Sequence, residues 1–298
     1  MSTFAHTTVL LEPTVDFVLP RSGGIYVDCT LGGGGHTEHL LERSAPEGRV
    51  IGIDRDPRAL EAASERLARF GARFTPVHDD FGAIKRVLAS LSIPRVDGVI
   101  ADVGVSSPQL DDASRGFSFM NEGPLDMRMD TTRGETVLEL IERLDANELA
   151  DVIYELGEER KSRRIARSIR EAFEAGSLET TSDLASAVRR AMGGPRGKID
   201  PATRTFQALR IAVNRELAEL SSLVQAAGDV LVDDGIVAII AFHSLEDRIV
   251  KRAFRDDVRL VACTKKPVIA DDDEAKRNPR ARSAKLRAAR RVPREVAE

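Results

Sequence analysis

Apolar residues in the first hundred positions recur in two alternating modes. Ile25-Tyr26-Val27, Val50-Ile51-Gly52-Ile53, Phe74 to Val77 and Val96 to Ala101 are short continuous runs of strand length. Between them the spacing becomes helical, as in Leu60, Ala63 and Leu67. Asp56-Pro57 predicts the start of that helix, a cap followed by proline at the first helical position, and Gly71 predicts its stop. Each strand runs into an acid: Asp28, Asp54, Asp79-Asp80 and Asp102. Strands alternating with helices of this length imply a mostly parallel, doubly wound α/β sheet.

The rhythm then breaks. The next buried strand is Ile236 to Phe242, after what reads as a turn at Asp233-Asp234-Gly235. Roughly 130 residues separate it from Asp102, where a βα unit takes about thirty. The excess is helical in pattern over Val137 to Leu144, Glu148 to Leu156, Glu158 to Phe173 and Leu184 to Met192. A return helix carries Phe206, Leu209, Val213, Leu217 and Leu220 on one stripe. The expected organisation is a discontinuous sheet domain, 1–114 and 202–298, with an inserted all-helical domain at 115–201. Past Phe242, Ser244 and Asp247 have capping-box spacing for a further helix.

Candidate chemistry collects where the strands end, since ligands of open α/β sheets sit at the strand carboxyl ends. Val27-Asp28-Cys29-Thr30-Leu31 runs into four glycines, Gly32 to Gly35, and then His36. Glycines there let backbone amides approach a ligand, and an acid ending the second strand, Asp54, suits ribose hydroxyls. The dinucleotide fingerprint fails: counted from Gly32 its third glycine is Thr37, and from Gly33 it is Glu38. The methyl-donor pattern D-x-G-x-G-x-G matches Asp28, Gly32 and Gly34, with Thr30 in place of the first glycine. One mismatch each way leaves both donors open at this point. Asp80 and Phe81 suit the edge and face of an adenine, and Phe81 reads equally as a core contact. The segment Asp102 to Asp112 crowds Ser106, Ser107, Pro108 and Gln109 where a second substrate would enter. Such a loop suits methyl transfer to an exocyclic base nitrogen, where positioning matters more than a strong base; an ordinary Ser-Pro turn is the plainer reading.

Charge changes this picture locally. A net charge of −4 and an aromatic content of 4% exclude a generally basic coat and a stacking platform for single strands. Yet Arg160, Lys161, Arg163, Arg164, Arg167 and Arg170 lie opposite the apolar stripe Ile165, Ile169 and Phe173. Seven basic residues between Arg189 and Arg215 meet one acid, Asp200, and nine between Lys276 and Arg294 meet none. These stretches predict phosphate contacts, with the target base flipped or single-stranded. Cys29 and Cys263 form no zinc spacing and no disulfide framework, which fits a reducing cytoplasm. Neither is placed as the nucleophile that C5 methylation of cytosine needs, which favours an amine as acceptor. Met1 to His6 shows no basic n-region followed by an apolar stretch, and the longest apolar run is too short for a membrane span, so a cytoplasmic location is expected. No metal site is legible by spacing, although Asp111, Asp112, Asp126 and Asp130 could gather an ion on folding.

Several segments are long enough to be specific. They are His6 to Leu11, Gly34-Gly35-His36, Ile53 to Pro57, Asp102 to Asp112, Arg115 to Met120, Gly123 to Asp130, Pro201 to Ala208, Phe242 to Arg248 and Asn278 to Ser283. In this order, over almost the whole chain, they resemble the ribosomal RNA small subunit methyltransferase H (MraW) family. The resemblance implies a Rossmann-like class I methyltransferase that uses S-adenosyl-L-methionine on N4 of one cytidine in the decoding region of 16S rRNA, in the small ribosomal subunit. Carried over residue by residue, it implies cofactor contacts at Gly34, Gly35, His36, Asp54, Phe81, Asp102 and Gln109, and so favours Phe81 over Asp80 at the adenine. Asp102 with Ser106, Ser107 and Pro108 is the expected catalytic set, orienting the amine. Without the resemblance, a DNA amino-methyltransferase or a non-catalytic RNA-binding module fits the same residues, and an NAD oxidoreductase is disfavoured by the broken fingerprint.

Overall fold

The computed structural model describes residues 8–193 and 200–293. Seven strands form one sheet: β1 Ile25–Asp28, β2 Arg49–Asp54, β3 Phe74–His78, β4 Val96–Asp102, β5 Leu231–Ala241, β6 Leu260–Ala262 and β7 Lys285–Arg291. Their order is β3-β2-β1-β4-β5-β7-β6. The first five run parallel, and β7 pairs antiparallel with both β5 and β6.

Alternation along each strand sends neighbouring side chains to opposite faces, which makes two cores. Val27, Ile51, Val99, Val237 and Ile239 share one with Ile84, Val87, Leu88, Leu223, Val250 and Phe254. Tyr26, Val50, Ile100, Ala238 and Ile240 share the other with Val15, Leu40, Leu41, Ala63 and Leu67. Helices therefore cover both faces, as the near-continuous apolar runs require. The helix Pro57–Leu67 starts as its sequence predicts, with the Asp56 carboxylate accepting from the Arg58 amide ahead of Pro57.

Four expectations are corrected here. The Asp233-Asp234-Gly235 turn lies inside β5, not before it: the strand already begins at Leu231, and Asp234 sits at φ 63° where the β4–β5 register shifts. Asp56-type capping recurs after β5, but the box is formed by His243 and Glu246, and Asp247 instead binds Arg287 at 2.7 Å. The single return helix is two, Ala202–Asn214 and Glu216–Val230, broken at Arg215, whose φ is 52°. The basic tail runs from the end of the helix Asp272–Arg277 through a 3-10 turn at Pro279–Ser283 into β7, whose arginines are internal partners. Arg287 reaches Asp247, Arg290 reaches Asp234, and the buried Arg291 holds Asp233 and the Gly228 carbonyl. Arg294 lies outside the described residues.

The chain divides into two compact units, Met1–Gly104 with Leu217–Glu298, and Val105–Glu216. The second begins ten residues earlier than 115 and ends fifteen later than 201, taking in the helix Ala202–Asn214. Its core joins Ile141, Leu149, Ile153, Ile165, Ile169, Leu184, Val188 and Leu209 from five helices. Three of those helices open with reciprocal capping boxes, at Thr136/Glu139, Asp145/Glu148 and Thr180/Asp183. Asn214 clamps a preceding loop, accepting from the Met129 amide and donating to the Met127 carbonyl, each at 2.7 Å.

Candidate functional site

The carboxyl ends of β1, β2 and β4 lie side by side, and each ends in an acid. The turn after β1 is built around those acids. Asp28 accepts from the Thr30 amide at 3.1 Å and from the Thr37 hydroxyl at 2.7 Å, which ties the strand to the helix Gly35–Arg43. Asp54 accepts the Gly32 amide through Oδ2 and the Asp56 amide through Oδ1, both at 2.8 Å. A carboxylate has about four acceptor sites, so Asp54 keeps lone pairs for a ligand hydroxyl. Thr30 turns its hydroxyl to the Asp102 amide at 2.6 Å and so links β1 to β4.

The glycines divide by role. Gly32, at φ 48°, has no atom closer than 3.8 Å to the place a Cβ would take, so space is open above it. Gly34, at φ 77°, is the helix cap and packs on Leu67. A Cβ on Gly35 would overlap the Thr8 hydroxyl, so this glycine admits the N-terminal segment. His36 is buried in the first helical turn.

Burial raises all three rim acids. Asp28 and Asp54 are pushed up to about 6, mainly by loss of solvation. Asp102 is pushed up to about 8, first by burial and then by Asp28 and Glu246 nearby. Asp102 Oδ1 is buried and has no hydrogen-bond partner among the described residues. Such an atom costs free energy unless something outside the chain meets it. An anionic pyrophosphate would be repelled by this rim; a cationic sulfonium and ammonium would be drawn to it. The residues therefore fit an S-adenosyl donor better than NAD.

Phe81 follows β3 and is buried in the core beside Ile53 and Ile84. Arg55, which the sequence reading did not single out, stands 5.7 Å from its ring and 3.0 Å from the Asp80 carboxylate. Its signal was the position immediately after Asp54. Gly104 ends the first unit at φ 123°, a conformation that favours glycine. Ser106, Ser107, Pro108 and Gln109 belong to the second unit. There Ser106 and Gln109 cap the helix Ser107–Asp111 reciprocally, Ser106 donating its amide at 3.0 Å to the Gln109 side chain. The S-x-x-Q spacing carried that signal.

Burial pushes the Cys29 thiol up, so it stays protonated inside the loop. Asp126 is held by Arg128 at 2.8 Å and Asp130 by Arg133 at 2.5 Å. Among the described residues no group of three or more His, Cys, Asp or Glu could hold a metal ion. No described helix is long and apolar enough to cross a membrane.

On the helix Ser162–Glu174, Arg163, Arg164 and Arg167 are exposed and have no side-chain partner among the described residues, and the same holds for Arg160 and Lys161 just before it. Arg170 differs, being bound to the Ile141 carbonyl at 2.8 Å and to Glu174. In the second basic stretch Arg189 pairs with Asp200 at 2.7 Å and Arg210 with Glu216 at 2.8 Å. Arg196 and Lys198 lie outside the described residues.

A parallel sheet extended by an antiparallel seventh strand, with a glycine turn after β1 and an acid ending β2, defines a Rossmann-like class I methyltransferase, whose cofactor is S-adenosylmethionine. Residues 3–292 match the model of the MraW methylase family, and the chain belongs to that family. Three similar proteins are each called ribosomal RNA small subunit methyltransferase H. That of Sorangium cellulosum is 61% identical, over 96% of this chain and 91% of its own. Those of Geobacter sulfurreducens and Synechococcus sp. (strain CC9902) are 48% and 54% identical, over 97% and 98% of this chain and 100% and 99% of theirs.

Proposed function

We propose that this protein methylates N4 of a cytidine in the decoding region of 16S rRNA, within the small ribosomal subunit. The observation that carries the reading is Asp102 Oδ1 at the end of β4, buried and without a partner among the described residues. A carboxyl there can accept a hydrogen from an exocyclic amine and fix the direction of its lone pair. The names of the relatives support rRNA as the substrate, and the exposed cations at 160–167 supply phosphate contacts on the helical unit.

S-adenosylmethionine supplies an activated methyl group. Asp54 would hold its ribose hydroxyls, the turn Gly32 to Gly35 with His36 would face its methionine end, and Phe81 would lie against its adenine. Asp102 would orient the acceptor amine, and the segment Ser106-Ser107-Pro108 with Gln109, which follows it in the chain, would shape the acceptor side. Cys29 takes no part, since a buried, protonated thiol cannot attack a ring. The 16S rRNA and a cytoplasmic location belong to this same reading.

Methyl transfer from tritiated S-adenosylmethionine to small subunits and to free rRNA, followed by nucleoside mass spectrometry, tests it. N4-methylcytidine is the expected product. A different modified nucleoside, or none, overturns the reading.

A further inference from the structure

A cavity of about 410 Å³ opens past the carboxyl end of β5. Phe242, His243 and Ser244 line one side, and Ile269, Arg282 and Lys285 of the returning C-terminal segment line the other. That volume falls in the range of several hundred Å³ typical of small-ligand sites. The donor reading does not use it: β1 and β2, which carry the glycine turn and Asp54, are two and three strands away along the sheet. At the usual strand spacing that is roughly 10 to 15 Å.

The lining points to what the cavity takes. His243 Nδ1 accepts the Glu246 amide at 3.5 Å, which leaves the hydrogen on Nε2. That Nε2 is buried with no in-line hydrogen bond among the described residues, and it pairs with Glu246 Oε1 at 3.0 Å, which fixes the ring. Phe242 and Ile269 add apolar surface, and Ile269 is 65% exposed despite its size. Arg282 brings positive charge beside the N-terminus of the helix Ser244–Asp256, Lys285 adds a cation shared with Asp247 at 3.6 Å, and Asp272 brings one acceptor. An apolar wall, two cationic side chains and a carboxylate match a base, a phosphate and a ribose hydroxyl. No residue of β4 or of the glycine turn lines the cavity, so its occupant is not the reacting base.

We propose that this cavity binds one ribonucleotide of single-stranded RNA, adjacent in the chain to the target nucleotide. The proposal rests on the RNA-methylating function above. The cavity would thereby set which nucleotide is presented to the rim.

The test uses the full chain with small-subunit rRNA carrying 4-thiouridine. Ultraviolet cross-linking followed by peptide mass spectrometry should place cross-links in 242–248 or 266–285. In parallel, the double variant Arg282→Gln/Lys285→Gln should raise KM for rRNA about tenfold, with kcat within about twofold. Its affinity for S-adenosylhomocysteine should stay unchanged. Absence of cross-links from both segments, or an unchanged KM in a folded variant, overturns the cavity proposal alone. Should the variant fail to fold, the wild-type cross-links decide. A wild-type chain that transfers no methyl to RNA fails at the functional reading itself, which is a distinguishable result.

Discussion

Asp54 Oδ2 accepts the amide of Gly32 at 2.8 Å across 22 residues of sequence. The acid at the end of β2 thus holds the glycine turn after β1 in place, and its other oxygen holds Asp56 at 2.8 Å. One side chain shapes the turn and, in the proposed function, would also meet the donor ribose. Asp54→Asn keeps one carbonyl acceptor and loses the charge; Asp54→Ala loses both. Calorimetry with S-adenosylhomocysteine should show about tenfold weaker binding for Asn and about a hundredfold for Ala. Equal affinities in all three proteins would remove Asp54 from the donor site.

Three rim acids with raised pKa values should make donor binding proton-linked. Asp102 titrates near 8 in the free chain, so at pH 7 it is mostly protonated, while Asp28 and Asp54, near 6, are mostly ionised. A cationic sulfonium favours the ionised forms and draws a proton off Asp102. Calorimetry in buffers of different ionisation enthalpy should detect release of about one proton on binding S-adenosylmethionine at pH 7. S-adenosylhomocysteine, which lacks the sulfonium charge, should release less. Identical release for both ligands contradicts this electrostatic account.

Asp102 also costs stability. Its folded pKa of about 8 lies above an unfolded value of about 3.9, so the folded state holds the proton more tightly. That stabilisation is complete below the unfolded value and disappears as pH rises through 8. Asp102→Asn, neutral at every pH, should therefore melt a few degrees above wild type at pH 9. The gap should shrink steadily as pH falls and close only near the unfolded value of about 3.9, and methyl transfer should be lost. A gap that widens toward acid pH would show that the sign is wrong.

The exposed cations Arg163 and Arg167 have no internal partner to lose among the described residues. Arg163→Glu/Arg167→Glu should leave the melting temperature and donor affinity unchanged. RNA binding should weaken, and the slope of log K against log salt should fall by about two. An unchanged slope would make this helix a solvated face.

Arg291 behaves oppositely although its sequence context is equally basic. It is 4% exposed and anchors β7 through the Gly228 carbonyl at 2.9 Å. Arg291→Ala should cost about 2–4 kcal/mol of stability by leaving Asp233 and that carbonyl without their partner. The KM for rRNA should not move. Chemical denaturation beside steady-state kinetics separates the two effects.

Local chemistry made much of this protein legible along the chain. Four strands, their terminal acids, the Asp56-Pro57 helix start and the glycine turn all follow from neighbouring residues, because periodicity, capping and glycine freedom act over a few positions. Strand β7 was not legible, since Lys285 to Arg291 is rich in arginine and only the facing acids Asp233, Asp234 and Asp247 make those charges internal. The same holds for Gly35, whose missing Cβ makes room for Thr8 as much as for a ligand.

The sequence by itself determined the class of fold, the donor loop and the order of signatures that marks the family. Tertiary structure alone decided which charges are free and which are spent. Arg163 and Arg287 look alike in sequence, but one meets solvent and the other meets Asp247. It also decided that Asp28, Asp54 and Asp102 share one desolvated rim, because strand order places β2, β1 and β4 side by side. Desolvation and like-charge proximity depend on the whole packed chain, and no local pattern encodes them.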